Sequence, residues 1–390
     1  MHAQTAGWRN DGAGLYPKAA VPDQWGGEEG KNILWHTKIG KGQSSPVVCG
    51  ERVFITAEPD RLLCLDRGSG KLLWSAENGY AALPPGTKTP EKPLPTSPNC
   101  GYATPTPVCD GKHVWVSCGS GVVACYDLAG KRLWIRFIDL PQATQYGRSA
   151  SPLLVEGKLL VSIGGVEALD PQSGATLWQA EQAKPTYGTP AAAQVGDKAV
   201  LFTSGGDCLR VRDGHILARK LPKCTYTSPL VEGNVVYYVD STVTAIGLPA
   251  EAGESLVVKK LWENDDVEGD FYASPVCHGG TLYCASNEGT FYALDAKTGT
   301  EVFHKELEIR NASGKPNIQP ANIYPSLCLA GSRILLGNDA GQMLLLAPGK
   351  QYKLVSQNRL EQGSGATPAI DGNILLLRGA ESLYCIGMKP

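Results

Sequence analysis

One local phrase recurs along the chain, and it constrains the fold more than any other feature. CLDRGSGKLLW ends on Trp74, YDLAGKRLW on Trp134, LDPQSGATLW on Trp178 and LDAKTGTEVF on Phe303. Each copy reads as an apolar strand, a polar turn around a glycine, and a second strand closed by a large ring. A second signature opens each unit: Ser/Thr-Pro, an apolar strand, a tight glycine turn and another strand. Such starts fall at Ser45, Thr106, Ser151, Thr189, Ser228, Ser274 and Thr367, with a degenerate one at Ser326, where Leu327 stands in place of proline. Four strands per unit, called A to D here, and eight unit starts predict an all-β chain: an eight-bladed β-propeller of four-stranded antiparallel blades. A β-sandwich would need about seven strands in Greek-key order. This chain carries many more, in simple succession.

The ends complete each other. The last unit, ATPAIDGNILLLRGAESLYCIG, supplies strands A to C, whereas NILWHTKI near the start is a spare D strand. Pairing them closes the ring, with an N-terminal strand completing the C-terminal blade, and removes two open sheet edges. Trp35, Trp74, Trp134, Trp178 and Trp262 all end D strands, placed to wedge against the next blade; burying each ring is worth about 3 kcal/mol or more. Gly70, Gly174 and Gly299 supply positive φ to the C-to-D turns. Asp66, Asp127, Asp170 and Asp295 read as turn caps rather than catalytic acids. The frame divides the chain into an N-terminal extension, residues 1–31, packing on the propeller, and a single propeller domain, residues 32–390.

Composition supports many short strands: 46 glycines and 27 prolines punctuate 390 residues. With a net charge of −2 and interleaved signs, there is no basic stripe for phosphates, and nucleic acid is not an expected partner. No apolar run reaches the length of about 18 residues that a membrane span requires. The opening MHAQTAGWRNDG lacks the charged and apolar regions of a secretion signal, so the chain is either cytoplasmic or one whose signal has been removed. Among twelve cysteines, Cys64, Cys125 and Cys385 occupy a slot that holds Ala168, Ala245 and Ala293 in other units, the behaviour of a small buried filler. There is no CxxC, no vicinal Cys-Cys and no Cys/His cluster at zinc spacing. Cys100 and Cys224 fall in expected loops, and their pairing is left open. His36, His113, His215, His278 and His304 lie in D strands or at rim turns, and no H-E-x-x-H, G-x-S-x-G or phosphate loop occurs. No catalytic residue is assigned.

The phrase A/C-x-D-x-x-x-G-x-x-x-W, preceded by Ser/Thr-Pro strands, resembles the PQQ-like β-propeller repeat family from Asn32 to the C-terminus. Units four and seven depart from it: DGHILA and APGKQYKLV lack the tryptophan. The opening WRNDGAGLYP, followed by Trp25, is similar to the segment preceding the propeller in secreted bacterial members. The resemblance implies eight blades and a periplasmic or secreted location. Family members are quinoprotein dehydrogenases or non-catalytic propellers such as the lipoprotein that assists outer-membrane barrel assembly. The dehydrogenases hold a quinone between a tryptophan and a vicinal disulfide, with calcium beside it. Here the vicinal pair is missing, five tryptophans are used in docking, Trp115 lies in a B strand, and Trp8 and Trp25 precede the propeller, so none stands free to floor a central site. The stretch ENDDVEGDF, with Asp266, Glu268 and Asp270, has oxygen ligands for calcium but fits no EF-hand spacing and reads as a solvated loop. The expectation is therefore a monomeric, non-catalytic ligand- or protein-binding module without cofactor. The alternative is a PQQ-dependent dehydrogenase with calcium, oxidising alcohols or sugars.

The A-to-B and C-to-D turns read as uniformly short, so length variation falls in the D-to-A connections, above all residues 75–103 and 304–324. That face is expected to carry function. Two residues ahead of each Ser/Thr start lies a rim position, held by Tyr187, Tyr226, Tyr272 and Tyr324 in units four to seven and by Gln43, Thr104, Ser149 and Gly365 in the others. Equal blades would gather the tyrosines on one half of the channel mouth, with Arg148 beside the polar half. These residues and Gln43 form the candidate site for a small polar ligand or protein partner; equally, each tyrosine caps its own blade.

Overall fold

The computed structural model describes residues 6–27, 29–92, 94–97, 100–308 and 321–388. Strands A to D of the first blade are Val47–Cys49, Arg52–Ala57, Arg61–Asp66 and Leu72–Glu77, and the pattern repeats over residues 108–137, 153–180, 191–218, 230–264, 276–306 and 328–359. The eighth blade takes Ala369–Asp371, Ile374–Arg378 and Ser382–Ile386 as A to C, and Ile33–Lys38 as D. Trp35 pairs with Cys385 and Thr37 with Leu383 in that antiparallel closure. The result is an eight-bladed propeller closed by its N-terminal strand. Arg378, 4% exposed, crosses the seam and donates to the carbonyls of Thr56 (2.7 Å) and Gly40 (3.0 Å).

Strand type follows from position. B and C strands are sandwiched between blades and read as continuous apolar runs, as in Arg52–Ala57 and Val122–Asp127. D strands have one face in solvent, and Ile33–Lys38 alternates accordingly. In every blade the C–D pairing slips by one residue beside the aromatic slot, for example at Cys64/Leu65 and Ala168/Leu169. Such a bulge re-aims the side chain next to it.

What it aims at is the next blade. Trp35 Nε1 donates to Arg67 O, Trp74 to Leu128 O, Trp134 to Pro171 O, Trp178 to Val211 O and Trp262 to Ala296 O, at 2.9–3.1 Å. Each indole lies on the glycine of that blade's C-to-D turn: a Cβ at Gly70 would sit 2.4 Å from Trp35, and one at Gly174 2.7 Å from Trp134. The glycine is thus required twice, by φ of +73° at Gly174 and by the ring above it. Asp66, Asp170 and Asp295 cap these turns, each carboxylate accepting from the backbone N–H three residues on. Gly174→Ala should cost about 3 kcal/mol, combining left-handed strain with a displaced indole. Urea unfolding would show it, and a change under about 0.5 kcal/mol would mean the blades simply slide apart.

Blades four and seven lack the tryptophan; Ala218 and Ser356 occupy its slot, opposite Cys208 and Leu345. Both gaps are filled from elsewhere. At blade four the filler is the C-to-D connection of blade five, residues 248–258, which folds back so that Leu248, Ala252 and Leu256 pack with Leu217, and Leu256 N donates to Leu217 O at 2.8 Å. C-to-D turns are therefore not uniformly short: the one in blade five is long and fills the space that a tryptophan occupies in other blades. At blade seven the filler is Trp25, 5% exposed among Leu335, Leu345, Ile370 and Leu375. Asn358 Oδ1 accepts from Trp25 N at 2.9 Å, and Asp23 pairs with Arg333 at 2.7 Å.

Residues 6–16 of the extension enter the channel. Ala6 bridges to Cys109 in the A strand of blade two, and Leu15–Tyr16 adds a fifth, parallel strand to Cys328–Ala330 of blade seven. Between them Gly7 and Asn10 exchange N–H···O bonds across a tight turn, with Arg9 and Asn10 at φ of 53° and 64°. Arg9, 2% exposed, donates through Nη2 to Pro275 O (2.6 Å), Leu327 O (2.8 Å) and Ala13 O (3.1 Å). Its pKa is driven below the ordinary arginine value by burial, and no carboxylate reaches it within ion-pair distance among the described residues. Around the Arg9 guanidinium only chain carbonyls are placed, while strand pairings hold the plug at both ends.

Candidate functional site

The Ser/Thr that opens each unit is a joint. Ser45 N donates to Thr106 Oγ1, Thr106 N to Ser151 Oγ, Ser151 N to Thr189 Oγ1, and so on through Ser228, Ser274 and Ser326 to Thr367, each link 2.9–3.1 Å. The seven hydroxyls from Thr106 to Thr367 therefore each accept from the preceding blade. Proline in the next position has no N–H to satisfy; Leu327, which has one, gives it to Ser274 O at 3.1 Å. This belt runs around the inner ends of the blades and forms the base of a funnel on the D-to-A face, with a cavity volume of about 470 Å³.

The rim positions stand on the belt. Gln43, Thr104, Ser149, Tyr187, Tyr226, Tyr272, Tyr324 and Gly365 all line the funnel. Four tyrosine rings run in sequence: Tyr187 stacks on Tyr226 (5.3 Å between centroids, 21°), Tyr226 meets Tyr272 edge-on (4.5 Å, 88°), and Tyr272 stacks on Tyr324 (5.2 Å, 18°). The rings thus lean on one another and stay half-buried. Burial raises the pKa of Tyr187 and Tyr226 above the ordinary phenol value, and burial followed by the neighbouring tyrosine and Asp270 pushes Tyr272 up to about 12. Their hydroxyls remain protonated donors across the neutral range. Gln43 Oε1 accepts from Gly365 N at 2.7 Å, tying the polar half together where the tyrosines end.

Arg148 does not join the funnel. It is 5% exposed, and its guanidinium turns away to Leu140 O and Gly119 O. Conversely, the funnel holds side chains that the repeat frame does not single out. Tyr146 extends the arc, stacked on Tyr187 at 5.9 Å and donating its N–H to the Tyr187 hydroxyl at 3.0 Å. Trp8, at the tip of the channel plug, also lines the cavity, so a tryptophan does reach the central site. Ser97 and Cys100 line it from the long 75–103 connection; the second long connection, 304–324, lies largely outside the described residues. Cys100 and Cys224 are buried and free, with burial pushing their thiols up to about 11 and about 12.

No lining side chain is an acid, a base or a histidine among the described residues. Pyrroloquinoline quinone carries three carboxylates, and its usual partner is a cation; the donor set here offers neither a counter-charge nor a ligand cluster. Among the described residues no group of three or more His, Cys, Asp or Glu is placed to hold a metal. The residues present do not fit that group.

Comparison with known proteins gives consistent relatives. The PQQ_2 family profile, described as outer membrane protein assembly factor BamB, matches residues 26–256 and 258–324. The outer membrane protein assembly factor BamB of Legionella pneumophila (strain Paris) is 25% identical over 189 residues, which span 45% of this chain and 47% of that protein, about half its length. The crystal structure of BamB from Moraxella catarrhalis superposes with a TM-score of 0.63 at 14% identity, over 91% of this chain and 99% of that one. The C-terminal WD40 domain of Sif2 gives 0.59 at 10% identity, over 92% and 98%. At such identities the two structures are similar in fold alone.

Proposed function

We propose a binding function for this chain, which belongs to the family of the outer membrane protein assembly factor BamB: it is a non-catalytic module that takes a neutral polar ligand, or an uncharged segment of a protein partner, into the funnel on its D-to-A face. The observation that carries this reading is the lining itself, an arc of tyrosines facing hydroxyl and amide groups with no carboxylate, lysine, arginine or histidine among the described residues. Tyrosine offers large contact area at low entropy cost and a polar tip. Catalysis would need a nucleophile or acid activated by a neighbouring base or charge, and among the described residues no Asp, Glu, His, Lys or Arg lines the funnel to activate its thiol or hydroxyls. An assembly partner of the kind the relatives' name denotes fits the same description, as does an extracytoplasmic location.

The test is calorimetric titration of neutral oligosaccharides and uncharged tetrapeptides against wild type and a Tyr226→Ala/Tyr272→Ala variant. One class should bind wild type and weaken about 30-fold in the variant, the equivalent of about 2 kcal/mol, with the melting temperature nearly held because rim rings are only half-buried. If the variant instead loses several kcal/mol of stability while affinity per folded molecule is unchanged, the tyrosines are blade caps. Stoichiometric binding of pyrroloquinoline quinone with calcium, and dye-linked oxidation of an alcohol or sugar, would overturn the non-catalytic reading.

A further inference from the structure

The funnel holds a surplus of hydrogen-bond donors. Each of the seven belt hydroxyls from Thr106 to Thr367 spends a lone pair on an N–H of the preceding blade, and its own proton has no protein partner among the described residues. Accepting such a bond polarises the O–H and makes it a better donor. At the rim, carbonyl and amide oxygens that could accept are taken: Gln43 Oε1 by Gly365 N at 2.7 Å, Tyr187 O by Ser149 Oγ at 2.7 Å, and Gly188 O by Ser204 Oγ at 3.1 Å. The donors are not. The hydroxyls of Tyr226 and Tyr272, together with Gln43 Nε2 and Trp8 Nε1, line the cavity without a protein partner among the described residues. The last two can only donate, and no carboxylate lines the funnel among the described residues to oppose them. Flat rings stand around these donors: the tyrosine arc, which turns through 88° between Tyr226 and Tyr272, and Trp8 at the tip of the plug.

We propose that the ligand of the funnel is a proline-rich segment of a protein partner, bound as a left-handed polyproline helix with its carbonyls toward these donors and its pyrrolidine rings on the aromatic arc. This rests on the reading of the funnel as a neutral binding site and narrows that reading to one class. A proline residue offers a carbonyl and no N–H, so it accepts what the funnel gives and leaves no donor of its own to satisfy. An ordinary peptide brings one N–H with every carbonyl, and a sugar brings an O–H with every hydroxyl oxygen. Each such donor, buried without an acceptor, costs about 1–3 kcal/mol. The polyproline helix makes no internal hydrogen bonds, so its carbonyls are all open to a partner, and it is extended before it binds. Aromatic-lined grooves take such segments at little cost in ordering for that reason.

The experiment titrates the full chain calorimetrically with neutral probes of matched length: tetraproline, tetrasarcosine and tetra-alanine, each with acetyl and dimethylamide ends, and cellotetraose. Tetraproline should bind about 10-fold or more tightly than tetra-alanine, the equivalent of one unsatisfied N–H. Tetrasarcosine should fall between them, because it too lacks N–H groups but has to be ordered on binding. Tyr226→Phe/Tyr272→Phe removes two donors and keeps both rings; it should weaken tetraproline about 10-fold, the worth of two hydrogen bonds, at an unchanged melting temperature. If tetra-alanine or cellotetraose binds as tightly as tetraproline, this inference falls and the binding role of the funnel stands. If none of the probes binds, both fall. Wild-type affinity for tetraproline in the phenylalanine variant would show that these hydroxyls give the ligand nothing, and would also overturn the inference. The wild-type series alone decides the question if that variant fails to fold.

Discussion

A chain starting at Gly40 is expected not to form a stable monomeric propeller. The deletion removes the D strand Ile33–Lys38, so that Ser382–Ile386 becomes an open edge able to template association. It also removes Trp35, whose indole rests on Gly70 and donates to Arg67 O, and Trp25, which fills the seam between blades seven and eight. Loss of the buried Trp25 costs about 3–5 kcal/mol, and the half-buried Trp35 adds to it. With the D strand and the plug lost as well, the deletion reaches the scale of a typical domain's whole stability, about 5–15 kcal/mol. Gel filtration and circular dichroism should show aggregation or loss of cooperative melting. Adding a synthetic peptide of residues 6–39 in excess should restore the monomer by mass action. A truncated monomer that melts at the wild-type temperature would show that the seam is closed without the N-terminal strand.

The contrast between what the repeat announces and what it hides has a physical cause. Trp74, Gly70 and Ser45 recur at fixed places because each blade needs the same joints, so the blades, their order and the closure can be read from short-range pattern. The rim tyrosines share that legibility, since two residues before the belt is always the same place on the rim. Arg148 shows the limit. It neighbours Ser149, which lines the funnel, and in extended backbone successive side chains point to opposite sides; a residue adjacent in sequence is therefore turned away, into its buried contacts with Leu140 and Gly119. Trp8 and Tyr146 come from segments outside the repeat frame, where no period marks them. Trp25 and the 248–258 connection replace side chains missing from Ser356 and Ala218, and a substitution across such distances leaves no trace in local spacing.

Arg9→Ala is expected to cost about 4 kcal/mol, the scale of removing one partner from a buried charged network. Between its two backbone pairings the plug is anchored by this side chain, whose Nη2 reaches carbonyls 266 and 318 positions along the chain. Deleting it strands Pro275 O and Leu327 O in the interior, each orphan worth about 1–3 kcal/mol. The relief of taking a cation out of the interior works in the opposite direction, and its presence is visible in the lowered Arg9 pKa. The carbonyls remain whichever residue replaces the arginine, so relief alone cannot make the change neutral. Arg9→Met keeps the packing of the aliphatic stem and should lose about half as much. Urea unfolding gives the global figure, and amide exchange localises it: Leu329 N bonds Gly14 O at 2.8 Å and Gly331 N bonds Tyr16 O at 2.9 Å, so both amides should lose protection when the plug lifts. Should both variants keep the wild-type midpoint with those amides still protected, the backbone pairings Ala6–Cys109 and Leu15–Tyr16 would have to hold the plug without Arg9.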